Sequence, residues 1–233
     1  MRLVLTCEHG GNDIPETYKE RFPNDEVLKT HRGYDLGALD VFQYLKPLSD
    51  VSFYSTTSRL FVELNRSLHH PMLFSEFTKH LSKIEKDNII KDYYLPYRFR
   101  VEDKIRDYIN HRGEVLHLSI HSFTPQLNGK TRNCDIGLLY DSQQKEEQEF
   151  CKHLKTQLLK HHPNLNVRFN YPYLGKADGF TTFLRKQFSK NYIGIEIELN
   201  QKFVAKNIIE IEIKEDIYKA ISGLKSNYHV FKH

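Results

Sequence analysis

Strand-like apolar runs alternate with helix-spaced segments along this chain, and that alternation restricts the fold more than any single motif. Arg2–Cys7 reads as a buried strand, stopped by Gly10-Gly11 and Pro15. Tyr34–Leu45 has helical spacing through Leu36, Leu39, Val41, Phe42 and Leu45, and Pro47 closes it. Val51–Ser55 and Arg59–Leu64 read as two more strands, and residues 71–88 as a polar, aromatic excursion without a period. Tyr93–Asn110 returns to helix, with His111-Arg112-Gly113 as a cationic, glycine-closed end. Strands over Val115–Ile120, Cys134–Asp141, Leu165–Phe169 and Tyr192–Leu199 are then interleaved with helices over Gln143–His161, Gly179–Phe188 and Lys214–Lys225. This order predicts an α/β fold in one domain over residues 1–233, with a mixed, mostly parallel central sheet flanked by helices on both faces.

A chain of 233 residues can bury a core of its own without staples. Its net charge is +4, but lysines are scattered among glutamates and form no basic block, so no nucleic-acid partner is expected. The three cysteines (Cys7, Cys134, Cys151) lie far apart with no CxxC pair, so neither a disulfide framework nor a cysteine zinc knuckle is indicated. The N-terminal apolar run is too short for a signal peptide, and no stretch approaches the ~20 apolar residues of a membrane span. A reduced, cytoplasmic protein with no membrane partner is expected. The sequence sets no oligomeric state.

In α/β sheets, sites collect beyond the carboxyl ends of the strands, and here those ends carry polar residues. The first strand runs into "CEHGG", with Glu8 and His9. Val115–Ile120 stops on His121. Tyr192–Leu199 carries Glu196 and Glu198 on one face inside an apolar run. Ionised carboxylates in a buried strand cost several kcal/mol unless they are paired or bound to metal. Two imidazoles and a carboxylate make a three-ligand catalytic zinc site with a fourth position open to water, and a further carboxylate could move that water's proton. "THRGYDLGA" offers His31 and Asp35, four apart at the start of a predicted helix, where Asp35 could also serve as a helix cap. Asn65-Arg66 in "FVELNRS" pairs an amide with a guanidinium that matches a carboxylate, and Arg132 is a second candidate anion anchor. A cysteine hydrolase built on Cys7 and His9 is the rival chemistry, without an oxyanion or acid partner in view.

As an ordered set, "TCEHGGNDIP", "THRGYDLGALD", "VELNRS", "LSIHSFTP", "TRNCDIGLLYD", "NYPYLGKADGFTTFLRK" and "GIEIELNQ" resemble the N-formylglutamate amidohydrolase family, over roughly Leu3 to Phe203. That family in turn is similar to zinc carboxypeptidases and aspartoacylases. The resemblance implies a phosphorylase/hydrolase-like, zinc-peptidase-like fold and a zinc-dependent amidohydrolase, with N-formyl-L-glutamate, an intermediate of histidine catabolism, as namesake substrate. It implies His9 and His121 as zinc ligands, Asn65 and Arg66 as a carboxylate clamp helped by Arg132, and Glu198 as general acid/base. Glu196 competes for that last role on periodicity. The carboxypeptidase pattern places a ligand carboxylate where this chain has Asn12, so Asp35 in "GYD" is the expected third ligand, with His31 and Glu8 as competitors. The same machinery on another acyl or peptide substrate, and a non-catalytic binding homologue, are the alternative readings.

Overall fold

In the computed structural model, which describes residues 1–227, the alternation resolves into one six-stranded sheet. Residues 228–233 of the expected domain lie outside the described residues. The elements run β1 (Arg2–Cys7), α1 (Ala38–Leu45), β2 (Val51–Tyr54), α2 (Lys83–Ile89), α3 (Leu95–Asn110) and β3 (Val115–Phe123). A small hairpin, β4 (Gln126–Leu127) and β5 (Lys130–Thr131), precedes β6 (Ile136–Leu139), α4 (Lys145–His161), β7 (Val167–Phe169), α5 (Phe180–Gln187) and β8 (Tyr192–Asn200). A second hairpin, β9 (Val204–Ala205) and β10 (Ile208–Ile209), leads into α6 (Ile211–Asn227). The sheet order is β2-β1-β3-β8-β6-β7, and only the β8–β6 pairing is antiparallel.

The two faces of the central strands differ in chemistry. One parity carries Leu3, Leu5 and Cys7, Leu116, Leu118 and Ile120, and Ile193, Ile195, Ile197 and Leu199, all buried against α1, α4 and α6. The other parity begins apolar, with Val4, Val115 and Tyr192 under α3 and α5. It then turns polar toward the carboxyl ends, through Thr6, His117, Ser119, His121, Glu196 and Glu198, all buried. Register places His121 opposite Glu198 and Ser119 opposite both Thr6 and Glu196, so these side chains share one face. The fold therefore gathers one cluster of buried polar and charged side chains at one end of one sheet face.

Three sequence expectations change. Tyr34–Leu45 is helical only from Ala38, because Gly37 takes a left-handed φ of 78° just before it. Asp35 thus lies in a loop, its backbone N–H on the His9 carbonyl at 3.0 Å, and does not cap the helix or share a helical face with His31. Arg59–Leu64 is not a strand. The Ser58 carbonyl accepts from the backbone of Phe61 and Val62 and its hydroxyl donates to the Gly33 carbonyl, so the chain winds into turns that bury Leu60, Phe61, Val62 and Leu64 in the second core. The excursion over 71–88 contains the start of α2, which Ser82 and Glu85 open with a reciprocal capping box. Among the described residues, no helix is long and apolar enough to cross a membrane.

Candidate metal centre and hydrolytic site

Beyond β1 the chain is pressed against the end of β2. The Gly10 N–H donates to the Ser55 carbonyl at 3.0 Å, and a Cβ at Gly10 would lie 2.9 Å from that oxygen. This close approach turns His9 over the sheet end, where the Asp35 loop meets it. His121 reaches the same point from β3. The Nδ1 atoms of His9 and His121 lie 3.2 and 2.8 Å from Asp35 Oδ2, and the two rings are 5.1 Å apart. One donor atom from each of the three residues falls within 4.8 Å of the others, and all three side chains are buried.

Each imidazole is held from behind on its other nitrogen. His9 Nε2 meets Glu63 Oε1, whose second oxygen takes Nε and Nη2 of Arg59 at 2.9 and 2.6 Å. Arg59 also donates to Asp35 Oδ1 at 3.1 Å. His121 Nε2 lies 2.9 Å from Ser119 Oγ and 3.2 Å from Glu8 Oε2, and Tyr97 from α3 donates to Glu8 Oε1 at 2.9 Å. Burial disfavours charge on all of these groups, but the pairing outweighs it. Asp35 is held well below the usual carboxylate range by His9 and His121, Glu8 is held low by His121, and Glu63 by Arg59 and His9. Despite burial, hydrogen bonds to Asp35 and Glu8 raise His121 well above an ordinary imidazole.

On the neighbouring strand, Glu196 accepts a hydrogen bond from the Thr181 hydroxyl. Glu198 differs, since its buried Oε2 has no hydrogen-bond partner. Burial pushes the Glu198 carboxyl up to about 8, with Asp35 and Glu196 adding to the effect against the opposing pull of His121. Both glutamates, with His9, Asp35 and His121, line a cavity of about 150 Å³. Its far wall is Asn65 and Arg66, and its lip is the 170–179 loop through Tyr173, Leu174, Ala177 and Asp178. Asn65 Oδ1 accepts from the Phe180 N–H at 2.7 Å, which leaves its amide N–H groups as donors. Arg66 spends Nη1 on the Asp178 carbonyl at 2.5 Å. Its own carbonyl is fixed by the Tyr94 hydroxyl and by Arg98, a buried cation stacked 4.2 Å over Phe180.

This constellation can be set beside known proteins. The family model described as N-formylglutamate amidohydrolase matches residues 1–205. The chain belongs to that family. Among solved structures, a gene product from Agrobacterium tumefaciens is 25% identical, with a TM-score of 0.77 over 96% of this chain and 91% of that one. The N-formylglutamate amidohydrolase from Ralstonia eutropha shares the fold at 15% identity, with a TM-score of 0.75 over 99% of this chain and 94% of that one. No curated protein matches the sequence.

For an amidohydrolase of this family, the donor set fits a divalent metal. Two imidazole nitrogens and a carboxylate oxygen converge, and both outer nitrogens are occupied by carboxylate partners, the arrangement that fixes the ring orientation of metal-binding histidines. His9, Asp35 and His121 are brought together as expected. Of the competitors, His31 is exposed, and Glu8 stands behind His121 instead of facing Asp35. Asn12 donates to the Leu28 carbonyl away from the centre. Asn65 and Arg66 line the cavity, whereas Arg132 stacks over the Tyr173 ring at 5.1 Å, one residue back from it. Cys7 belongs to the apolar core of the opposite sheet face, and burial pushes its thiol up, so it is not placed as a nucleophile. The sequence reading missed Arg59, Glu63, Ser119 and Tyr97. Tyr97 and Glu63 act on partners distant in the chain, Ser119 joins distant Glu8 to nearby His121, and Arg59 and Glu63 sat in a run read as a strand.

Proposed function

We propose that the chain is a zinc-dependent amidohydrolase that cleaves the linear amide of a small carboxylate-bearing substrate, N-formyl-L-glutamate or a related N-acyl amino acid. The observation that carries this reading is Glu198, a buried carboxylate with a free oxygen in the same cavity as the His9–Asp35–His121 cluster. His9, Asp35 and His121 would hold a zinc ion, whose chemistry when bound would be Lewis acidity toward a water and the amide carbonyl. Glu198 would take a proton from the attacking water and deliver it to the departing amine, a task suited to a carboxyl whose burial brings it near neutrality. Arg66 keeps guanidinium donors free beyond its bond to Asp178, and together with the Asn65 amide it orients the substrate carboxylate. Arg132, held over Tyr173 one residue back from the cavity, supplies a second cation toward a dicarboxylate. Arg59 commits its donors to Glu63 and Asp35 and holds the ligand carboxylate in place. The whole chain acts as one catalytic domain.

Glu198→Gln tests the assignment. Metal content by elemental analysis stays at the wild-type level, while turnover of N-formyl-L-glutamate, or of the best substrate in an N-acyl amino acid panel, falls by roughly 10²–10⁴-fold. A metal-loaded variant with full turnover removes Glu198 from the reaction.

A further inference from the structure

The two histidines of the cluster have unequal supports. Glu63, behind His9, is neutralised by a guanidinium with bonds of 2.6 and 2.9 Å. Glu8, behind His121, is fully buried, and its hydrogen-bonding partners are Tyr97, Ser119 and His121. Among the described residues no lysine or arginine forms an ion pair with it. We propose that Glu8 is the positioning residue that fixes the tautomer of His121, through Ser119 and directly, and thereby sets how tightly the site holds its metal. This rests on the zinc-site reading above.

The argument is one of hydrogen counting. A carboxylate only accepts, and a serine hydroxyl has a single hydrogen to give. Ser119 lies 2.5 Å from Glu8 Oε2 and spends that hydrogen there. Its oxygen, 2.9 Å from His121 Nε2, can then act toward the ring only as an acceptor. Glu8 Oε2 itself, 3.2 Å from the same nitrogen, makes the same demand. Both neighbours therefore require a hydrogen on Nε2, so the hydrogen that Nδ1 donates to Asp35 is the one a metal would replace, and Nδ1 is the ligand atom. Tyr97 donates to the other oxygen and pins the carboxylate to α3. Replacing the carboxylate by an amide breaks this logic. A glutamine can donate to Ser119 Oγ, which frees the serine hydrogen to point at Nε2 and favours the tautomer protonated on Nδ1. The uncompensated charge of Glu8 also makes the imidazole a stronger donor, an effect that Arg59 screens at Glu63.

The test is zinc affinity of the folded, metal-free protein, measured by competition with a chromophoric chelator, for wild type, Glu8→Gln, Tyr97→Phe and Ser119→Ala. The affinity of Glu8→Gln is expected to fall 10- to 100-fold, with smaller losses for Ser119→Ala and Tyr97→Phe. In parallel, ¹⁵N-resolved spectra of the zinc-loaded proteins report the His121 tautomer. Wild type should carry its ring hydrogen on Nε2, and Glu8→Gln should lose that uniform assignment. A purely structural role for Glu8 would lower the melting temperature and leave both readouts where they are. Zinc uptake by wild type with equal affinity in Glu8→Gln overturns this proposal alone, whereas no zinc uptake by wild type overturns the metal-site reading with it. If Glu8→Gln does not fold, Ser119→Ala and Tyr97→Phe decide together, because wild-type affinity in both, where the relay and the anchor of the Glu8 carboxylate are each lost, overturns the proposal.

Discussion

His117 and His121 sit four residues apart on one strand and one face, yet their neighbours give them opposite chemistry. His117 bonds Thr6 Oγ1 at 2.8 Å and the Tyr192 hydroxyl at 2.7 Å, with no carboxylate in contact. Burial therefore dominates and lowers its pKa to about 4, so the folded protein holds it neutral. The unfolded chain protonates this histidine below its ordinary value of 6.5, whereas the folded chain does not until about 4. The contribution is complete above 6.5 and is lost as pH falls toward 4, about 3 kcal/mol across the window. The difference in unfolding free energy between wild type and His117→Gln, followed by denaturant titration at several pH values, should shrink over that interval. A constant difference would contradict the assignment. Single residues were legible in the sequence only where the strand pattern or a family motif marked them. His121 stood out at the end of an apolar run, while Glu8 was visible as a residue but its position behind His121 was not, because that depends on the β1–β3 register.

At the level of elements, the strands that carry the site could be read because their apolar parity is strict, and β1, β3 and β8 end near the predicted places. The segment over 59–64 misled because an apolar run records burial and not backbone conformation. There the conformation is set by Ser58 and its contact to Gly33, which sequence spacing does not encode. The 170–179 loop is a similar case, read as a family motif without a shape. Its start is packed on β6, where a Cβ at Gly137 would lie 2.0 Å from the Tyr171 carbonyl and 3.2 Å from Glu198 Cβ. The substitution Gly137→Ala must therefore push the loop outward. It is expected to cost roughly 1–3 kcal/mol of stability, as overpacking does. It should also raise KM and lower kcat together, since Tyr173 and Asp178 travel with the loop and Glu198 must give way as well, while zinc content stays unchanged. Unchanged KM with unchanged zinc content would separate the loop from substrate binding.

Across the whole molecule, the sheet divides its work between faces, with a continuous apolar core against α1, α4 and α6 and a polar cluster at the end of the other face. Burying Glu8, Asp35, Glu63, His9 and His121 together is costly unless the charges are matched, and partly exposed Arg59 supplies part of that matching. In the metal-free protein that matching is done by ion pairs, with His121 between two carboxylates. A divalent ion in the cluster would take over part of this neutralisation and bind only the folded chain, so its binding free energy would add to folding. Free zinc at a hundred times its dissociation constant should stabilise the protein by about 2.7 kcal/mol, which for a chain of this size raises the melting temperature by roughly 5–10 °C. The shift, measured by calorimetry before and after chelation, should vanish in His121→Ala whatever that variant's own melting temperature. It should persist in Arg66→Ala, whose lost guanidinium belongs to the cavity wall and not to the cluster. A zinc-induced shift of equal size in His121→Ala would place the metal elsewhere on the molecule and leave the cluster as a structural ion-pair network.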